Sequence, residues 1–411
     1  MLSREDNELL TRVGPGTPMG SLMRRYWVPV CYSKELPAPD CPPIRVKLMC
    51  EPLVAFRDTK GRVGLVDERC PHRTASMFFG RNEECGIRCV YHGWKFDVDG
   101  NCVDMPSEPE GSNFKHKVKI KAYPCIERGG AVWAYMGPPD EKPEFPDLEW
   151  TMVPDAHRYL TRHVQECNWL QAVEGGFDTS HLAFLHRGTV QASGLTTRYE
   201  VLPTDYGFIG CTGRDPKDGM VEWSVNVFLM PFHKIISYSP MGAHVWAPID
   251  DETTMNWSAD YNVERPLTDE EEERSRNYLY IHTENIPGTD RSVQNKDNDY
   301  RIDRAEQASG ASYTGIRGVG MQDCGIQESM GPIADRTLEH LGISDTLIIK
   351  IRRILLQTLA DVDKGATPPG LNPRSWRVRS ARFKIPEASS IEDAVDRYVR
   401  VKEQRESVAA K

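Results

Sequence analysis

Two short segments of this chain each carry one cysteine and one histidine, and their spacing constrains the fold more than any other feature. Cys70 and His72 are separated by one residue, and Cys89 and His92 by two, with sixteen residues between His72 and Cys89. The eleven cysteines are an odd number scattered along the chain, which argues against a disulfide framework. Clustered cysteine and histidine of this kind indicates metal ligands, so we expect two loops that converge on one metal centre.

A single tetrahedral zinc ion is one possible occupant of these loops. Zinc fingers, however, usually take a pair of cysteines from one segment and a pair of histidines from another. Here each loop supplies one cysteine and one histidine. Each loop can therefore give its thiolate to one iron and its imidazole to a second iron. Two neutral histidines on one iron raise the reduction potential of such a centre. We therefore predict a Rieske-type [2Fe–2S] cluster on Cys70, His72, Cys89 and His92.

A second constellation of histidines lies further along the chain, in a segment that is predicted to be helical from Asn168 to Leu185. On such a helix Asp178 and His181 share one face, but His186 follows His181 by five residues. Five residues turn a straight helix by roughly 500°, which puts His186 about 140° away from that face. For both imidazoles to reach one metal, we expect the helix to end or bulge within residues 183–185.

These two histidines need one more protein ligand to make a known type of iron site. Two histidines and one carboxylate, with open positions for oxygen, form the facial triad of oxygen-activating Fe(II). The alternative is a pair of unrelated histidines, but an iron–sulfur motif in the same chain favours the triad. Spacing alone leaves four candidate carboxylates open, which are Asp323, Glu328, Asp361 and Asp363.

The composition excludes several other classes of protein. With a net charge of −9 and a pI near 5.7, the chain lacks the basic surface that nucleic-acid binding requires. No stretch approaches the ~20 apolar residues of a membrane-spanning helix, and the charged N-terminus carries no secretion signal. We therefore expect a cytoplasmic protein with no membrane and no nucleic-acid partner.

The residue pattern changes along the chain. Short apolar runs alternate with Gly, Asp and Asn turns over residues 44–137, which is typical of β-strands. The proline-rich stretch 138–146 is predicted to be a linker, and a mixed α+β region follows it. Residues 284–312 have no clear period and are predicted to form a long loop. A helix is predicted to start after Asp345 and to end at Gly365.

The metal-binding loops also carry a family resemblance. The segments CPHR and CVYHGWKF resemble the Rieske motif of aromatic ring-hydroxylating oxygenase α subunits. Three further segments resemble the phthalate 4,5-dioxygenase group, namely GPGTPMGSLMRRYWVPV, IQESMGPIADRTLEHLG and RRILLQTLADVDKGATPPGLNP. That group also includes O-demethylases of methoxylated, lignin-derived aromatic acids. The resemblance runs nearly end to end.

The resemblance implies an α+β fold with two domains. An all-β Rieske domain would precede a catalytic domain whose antiparallel sheet is flanked by helices in a helix-grip-like arrangement. We place the boundaries so that residues 1–38 pack on the catalytic domain, residues 39–147 form the Rieske domain and residues 148–411 form the catalytic domain.

The resemblance also implies roles for individual residues. The segment around Asp323 is similar to the one that supplies the carboxylate ligand, so Asp323 would join His181 and His186 on a mononuclear Fe(II). Asp178 would bridge this iron site and the cluster of a neighbouring subunit, at His92 or His72. That arrangement implies a homotrimer, or a multiple of one, with electrons crossing between chains.

The implied activity is that of a terminal oxygenase. The chain shows no convincing dinucleotide or flavin motif, so a separate NAD(P)H-dependent reductase, with or without a ferredoxin, must supply electrons. Together with O₂ these electrons would hydroxylate or dihydroxylate an aromatic carboxylate, or remove a methyl group from a methoxylated one. A Rieske electron carrier without its own catalysis, and a zinc-binding structural protein, are the competing hypotheses.

An aromatic carboxylate needs a cationic partner, and arginine offers bidentate hydrogen bonding. Arg214 and Arg198 lie between predicted strands and are the candidates, with solvated surface charge as the alternative. Asn226 is a third candidate. The resemblance also implies an arginine within Ser224-Val225-Asn226 in phthalate-specific members of the group, and the lack of one here argues against phthalate itself.

Overall fold

The computed structural model describes residues 1–189, 195–238 and 240–400. The N-terminal segment forms helix α1 (Arg4–Thr11), helix α2 (Pro18–Met23) and strand β1 (Trp27–Tyr32). The side chains of Ser3 and Thr17 accept hydrogen bonds from backbone N–H groups of the first turns, which explains where the two helices begin. Helices α1 and α2 contact a long C-terminal helix, whereas β1 joins a sheet of the first domain.

The first domain consists of small antiparallel sheets. Its strands are β2 (Ile44–Leu48), β3 (Glu51–Arg57), β4 (Val63–Asp67), β5 (Arg81–Glu83), β6 (Gly86–Arg88), β7 (Lys95–Phe96), β8 (Cys102–Asp104), β9 (Ala122–Tyr123), β10 (Cys125–Arg128) and β11 (Ala131–Tyr135). They form sheets in the orders β2-β3-β4-β9, β5-β6-β7-β8 and, with the N-terminal strand, β1-β11-β10. An all-β first domain is therefore confirmed.

The second domain is built on one large antiparallel sheet. Its elements are α3 (Glu149–Met152), β12 (Arg158–Gln165), α4 (Trp169–Phe177), β13 (Thr196–Thr204), β14 (Gly207–Arg214), β15 (Met220–Leu229), β16 (His233–Ile236), β17 (Met241–Pro248), β18 (Thr254–Tyr261), α5 (Asp269–Arg276), α6 (Arg304–Ser309), α7 (Val319–Ser329), α8 (Thr346–Asp363), β19 (Ala381–Pro386) and α9 (Ile391–Tyr398). The strand order is β12-β18-β17-β16-β15-β14-β13, and β19 pairs with β15 beside β16.

Helices cover both faces of this sheet. On one face, Phe177 of α4 packs against Phe208 and Phe228 at ring-centroid distances of 5.8 and 5.4 Å. Helix α8 follows Asp345 and packs on the same face, where Leu347 lies beside Gly210. On the other face, Phe383 of β19 stacks on Tyr398 of α9. The predicted fold class is therefore confirmed, and so is the helix after Asp345.

A buried ion-pair cluster fixes α4 within the second domain. Glu174 accepts hydrogen bonds from Arg336 at 2.8 Å and from Arg352 of α8 at 2.6 Å. Arg336 also donates to the side chain of Asn7 in α1, so the cluster ties the N-terminal segment to α4 and α8. The cluster therefore fixes the position of α4, which directly precedes the segment that carries His181 and His186.

The region predicted as one long loop is mostly irregular, as expected, but it contains short helical turns. Those of Lys296–Arg301 are interrupted by non-helical backbone at Asn298, Asp299 and Tyr300, and the short helix α6 follows them. The side chains of Asn295 and Asp303 cap these elements by accepting backbone N–H hydrogen bonds. Short capped helices of this kind carry little apolar periodicity, which is why the pattern did not show them. Across the described residues, no helix combines the length and the apolar character needed to cross a bilayer.

Candidate metal centres and substrate cavity

The two cysteine–histidine loops come together at one end of the first domain. Cys70 N donates to Ala75 O at 2.8 Å and Cys89 N donates to Trp94 O at 2.8 Å, so each loop is closed by a backbone hydrogen bond. The imidazoles of His72 and His92 lie 4.4 Å apart between ring centroids. Both cysteines are buried within a small apolar core of the first domain. The structure thus brings all four predicted ligands together.

The arrangement of these donors fits a two-iron cluster. Burial raises the pKa of the Cys70 thiol to about 11, so only a bound metal would keep this sulfur as a thiolate at neutral pH. The Nδ1 atom of His72 is buried and has no hydrogen-bond partner among the described residues. Two buried cysteines together with two histidines are the ligand set of a two-iron cluster of this type.

The helix that carries the second constellation ends earlier than predicted. Helix α4 stops at Phe177, and a separate 3₁₀ turn spans His181–Ala183, so the required break is present but begins earlier than residues 183–185. Asp178 causes this end, because its Oδ1 atom accepts hydrogen bonds from both the backbone N–H and the hydroxyl of Ser180 at 2.7 Å. The early end frees the following residues from the helical repeat, and both imidazoles can then face one point.

The two imidazoles and one carboxylate converge in the second domain. His181 Nε2 lies 3.1 Å from His186 Nε2, and Asp323 Oδ1 lies 3.5 Å from the first and 3.3 Å from the second. Asp323 is on α7, which contacts α4. Of the other carboxylates that spacing left open, Glu328 accepts hydrogen bonds from the Tyr300 hydroxyl and the Glu166 N–H.

These three donors fit an oxygen-activating ferrous ion. Asp323 Oδ1 is buried without a hydrogen-bond partner among the described residues, although it faces two imidazoles. Burial alone would raise the pKa of Asp323, but His186 and His181 outweigh it and hold that pKa below its usual range. An ionised carboxylate beside two imidazole nitrogens is the two-histidine, one-carboxylate donor set of non-haem Fe(II).

Each histidine of the triad is oriented by a hydrogen-bond partner on its other nitrogen. His181 Nδ1 lies 3.3 Å from Asp178 Oδ2, and His186 Nδ1 lies 2.6 Å from the side-chain oxygen of Gln322. Gln322 is itself held, because its amide nitrogen donates to Ile316 O at 2.8 Å. These contacts make Nδ1 the protonated nitrogen and leave both Nε2 atoms free to bind a metal.

A cavity of about 150 Å³ opens beside the triad, between the sheet and helices α4 and α7. The sheet side of its lining comes from alternate residues on neighbouring strands, as the pleat requires. The residues that line it from the strands are Gln165, Thr196, Thr212, Arg214, Ser224, Asn226, Lys234, Ile236, His244, Trp246, Asn256 and Arg382. The cavity is therefore polar on its sheet side and carries positive charge.

The candidate substrate residues divide between the two faces of the sheet. Arg214 and Asn226 line the cavity. Arg198 does not line it, and its guanidinium pairs with Glu387. In the register Arg198 lies opposite Gly213, one residue away from Arg214, so alternation puts the two arginines on opposite faces. Arg198 therefore does not face the cavity, contrary to the expectation that both arginines could bind the substrate.

Sequence reasoning missed three residues of the site: Gln322, Lys234 and Arg382. Lys234 is buried between the apolar residues of β16, and a charge in the middle of a buried strand is a signal that could have found it. Gln322 directly precedes the predicted ligand Asp323, but only the helix geometry shows that it reaches His186. No sequence pattern marks Arg382, because its position beside the cavity depends on the pairing of β19 with β15.

Family models match most of the chain. A Rieske [2Fe–2S] domain model matches residues 26–124, and a model described as LigXa C-terminal domain like matches residues 134–199 and 195–385. Both matches agree with the two-domain architecture. Together they place the cysteine–histidine loops in the first model and the triad in the second.

Characterised relatives cover nearly the whole chain. The oxygenase subunit of phthalate 4,5-dioxygenase from Pseudomonas putida is 38% identical over 97% of this chain and 96% of its own length. The oxygenase subunit of 5,5'-dehydrodivanillate O-demethylase from Sphingobium sp. is 34% identical over 90% of this chain and 84% of its own length. The solved structure of Pseudomonas putida CBB5 NdmA with caffeine has a TM-score of 0.62 at 21% identity, covering 91% of this chain and 99% of that one.

These matches identify the class of enzyme and its cofactors. The protein is an oxidoreductase with a Rieske [2Fe–2S] cluster in its first domain and a mononuclear non-haem iron in its second. The donor sets described above fit both groups. The chain belongs to the Rieske non-haem iron oxygenases, among the oxygenase subunits that resemble phthalate 4,5-dioxygenase.

Proposed function

We propose that this protein is the terminal oxygenase of a multicomponent system that hydroxylates or dihydroxylates an aromatic carboxylate. His181, His186 and Asp323 would hold the mononuclear iron, and Cys70, His72, Cys89 and His92 would hold the cluster. The observation that carries the proposal is the triad, in which Asp323 Oδ1 lies within 3.5 Å of both Nε2 atoms at the edge of a polar cavity.

The protein's own residues prepare this site. When bound, the iron supplies activation of dioxygen and the cluster supplies single electrons. Asp178 and Gln322 keep Nδ1 of the two histidines protonated, so that both Nε2 atoms stay available. The cations of the cavity wall would hold the substrate carboxylate, which orients the ring toward the triad.

The positions of the cluster ligands support electron transfer between subunits. His92 stands beside Val90 and Tyr91, which are 57% and 56% exposed, so its edge is accessible to another chain. Asp178 is partly exposed next to His181. We therefore assign Asp178 as the contact to His92 or His72 of a neighbouring subunit, in a homotrimer or a multiple of it.

The electron donor is a separate protein in this proposal. A reductase that oxidises NAD(P)H, directly or through a ferredoxin, would reduce the cluster. Relatives at 34–38% identity are oxygenase subunits, which by name form part of larger systems.

O-demethylation is the second candidate reaction. One relative over most of the chain is the oxygenase subunit of 5,5'-dehydrodivanillate O-demethylase. A methoxylated aromatic acid would use the same triad and the same cations, and it would differ only in placing a methyl carbon at the reacting position.

Iron content and turnover test these assignments together. The purified protein should contain about three irons per chain, whereas an electron carrier without its own catalysis would contain about two. With a surrogate reductase, oxygen uptake would be recorded on phthalate isomers, halobenzoates and methoxybenzoates. A mass gain of two oxygens with two hydrogens identifies a cis-diol, and release of formaldehyde identifies demethylation.

Two results would contradict the proposal. A colourless preparation with zinc and no iron would instead support a structural zinc protein. Replacement of His181 or Cys70 by alanine should remove one iron site each, so unchanged iron content in both variants would refute the ligand sets.

A further inference from the structure

Three positively charged side chains line the cavity beside the triad, together with two carboxylates of the described residues. Those carboxylates are Asp178, which serves His181, and the proposed metal ligand Asp323. Arg214 contacts Glu222, which lies outside the lining, at 3.3 Å. Arg382 makes no hydrogen bond or ion pair with any described residue, and Lys234 donates only to the backbone oxygen of Gly176.

These cations influence one another across the cavity. Partial burial lowers the pKa of Arg382 and the charge of Arg214 lowers it further, while Glu222 opposes both effects. Burial also lowers the pKa of Lys234 to about 8; Asp323 opposes this shift, and Arg382 adds a smaller lowering. Like charges on one cavity wall disfavour one another, and a bound anion would offset that repulsion.

Unpaired donors on the cavity wall show where an anion would bind. The Nε atom of Arg214 and the hydroxyl of Ser224 are buried and lack a hydrogen-bond partner among the described residues. Arg382 lies directly opposite Ser224 in the pairing of β19 with β15. A carboxylate could accept from all three groups. The donors of Arg214 and Ser224 are buried and costly to leave unpaired, whereas the Arg382 guanidinium is exposed to solvent.

Lys234 lies at a different place on the same wall. It pairs with Phe228 of β15, whereas Arg382 pairs with Ser224. Four residues of an antiparallel strand span roughly 13 Å, so the backbones of the two cations are about that far apart along one edge of β15. The electrostatic influence of both Asp323 and Asp178 on Lys234 puts its charge on the triad side of the cavity.

We propose that the substrate is an aromatic acid with two anionic groups at non-adjacent positions of the ring. One carboxylate is held by Arg214, Ser224 and Arg382, and the second anionic group is held by Lys234 near the triad. This inference rests on the proposed function, and it narrows that function to a class of dianionic substrates.

The test measures binding of chosen probes to the intact, iron-loaded oxygenase without reductase. Calorimetric titrations would compare benzoate with benzene-1,2-, 1,3- and 1,4-dicarboxylate. The 1,3- or 1,4-isomer should bind at least roughly tenfold more tightly than benzoate and the 1,2-isomer, as expected for one further charge-assisted contact. Equal affinities for benzoate and all three dicarboxylates would overturn the inference.

Variants separate the two anion-binding positions. Arg382→Met should weaken benzoate and the dicarboxylates alike, by roughly tenfold or more. Lys234→Met should remove the advantage of the dicarboxylate over benzoate. Lys384→Met, an exposed residue of the same strand that does not line the cavity, is the matched control and should leave every affinity unchanged.

Arg382→Lys guards against a variant that fails to fold, because it keeps the charge and should retain intermediate affinity. Unchanged dicarboxylate binding in both Arg382→Met and Lys234→Met would also overturn the inference.

The failure of this inference can be distinguished from the failure of the proposed function. A protein that binds dicarboxylates as described but consumes no oxygen would contradict only the proposed function. One that turns over a monoanionic acid and ignores dicarboxylates would contradict only the inference.

Discussion

The Nδ1 atom of His186 lies 2.6 Å from the side-chain oxygen of Gln322. An amide oxygen can only accept, so this contact requires a proton on Nδ1 and directs the free electron pair of Nε2 toward His181 and Asp323. A residue that binds no metal itself thereby sets the protonation and the orientation of a proposed ligand.

Gln322→Leu should therefore weaken iron binding, because the His186 ring loses its orienting partner. Loss of such a partner typically costs 10- to 100-fold in metal affinity or activity. Competition with a chelator, followed by iron quantification, measures the change in the second domain. Gln357→Leu, an exposed residue of α8, is the control and should bind iron like the wild type. Equal retention of iron by both variants would contradict the role of Gln322.

Asp178→Asn should slow turnover without removing the cluster. The side chain of Asp178 lies 3.3 Å from His181 Nδ1, and it is our proposed contact to the neighbouring subunit. We expect product formation to fall by roughly 10- to 100-fold, as for loss of other ligand-orienting groups. The visible spectrum of the cluster, and its reduction by the reductase, should stay as in the wild type. Asp269→Asn on the exposed face of α5 is the control, and full activity of both variants would refute the assignment.

Glu174→Gln should strongly destabilise the protein. Glu174 is buried and pairs with Arg336 and Arg352, so its neutralisation leaves two buried guanidinium groups without a counter-charge. Breaking a buried ion pair on one side costs about 3–5 kcal/mol. Urea denaturation followed by tryptophan fluorescence measures the loss. The exposed pair of Glu272 with Arg276 gives the control, since Glu272→Gln should cost less than about 0.5 kcal/mol.

The same carboxylate predicts a pH dependence of stability. Burial alone would raise the pKa of Glu174, but Arg336 and Arg352 outweigh it and hold the pKa below its usual range. The stabilisation is therefore fully present above the unfolded-state pKa of about 4.3, and it is lost as the pH falls through the lower folded-state pKa. The difference in free energy of unfolding between wild type and Glu174→Gln should shrink over that range. A difference that stays constant on acidification would contradict this assignment.

Gly176→Ala should destabilise α4 and disturb the cavity. A Cβ atom at Gly176 would lie 2.3 Å from the ring of Trp246, and both residues line the cavity. Overpacking of this kind typically costs about 1–3 kcal/mol. Thermal unfolding and oxygen uptake measure the two effects. Gly342→Ala is the matched control, because its nearest neighbouring atoms would be 3.9 Å away, and it should unfold like the wild type.

The sequence by itself determined the nature of both metal sites and the order of the domains. Cys70, His72, Cys89 and His92 lie within short segments, so spacing and ligand chemistry suffice to predict a cluster. His181 and His186 are similarly local. The helix after Asp345 followed from apolar periodicity and a stop signal, which are also properties of neighbouring residues.

Only the tertiary structure decided how distant segments meet. The end of α4 at Phe177 depends on a side-chain hydrogen bond of Asp178 that competes with the helical pattern. The separation of Arg198 from Arg214, and the approach of Arg382 to the cavity, depend on strand register and on the pairing of β19 with β15. Register is set by the packing of strands far apart in sequence, and a shift of one residue exchanges the two faces of a strand. The positively charged side chains of the cavity are therefore placed by the fold and not by any local motif.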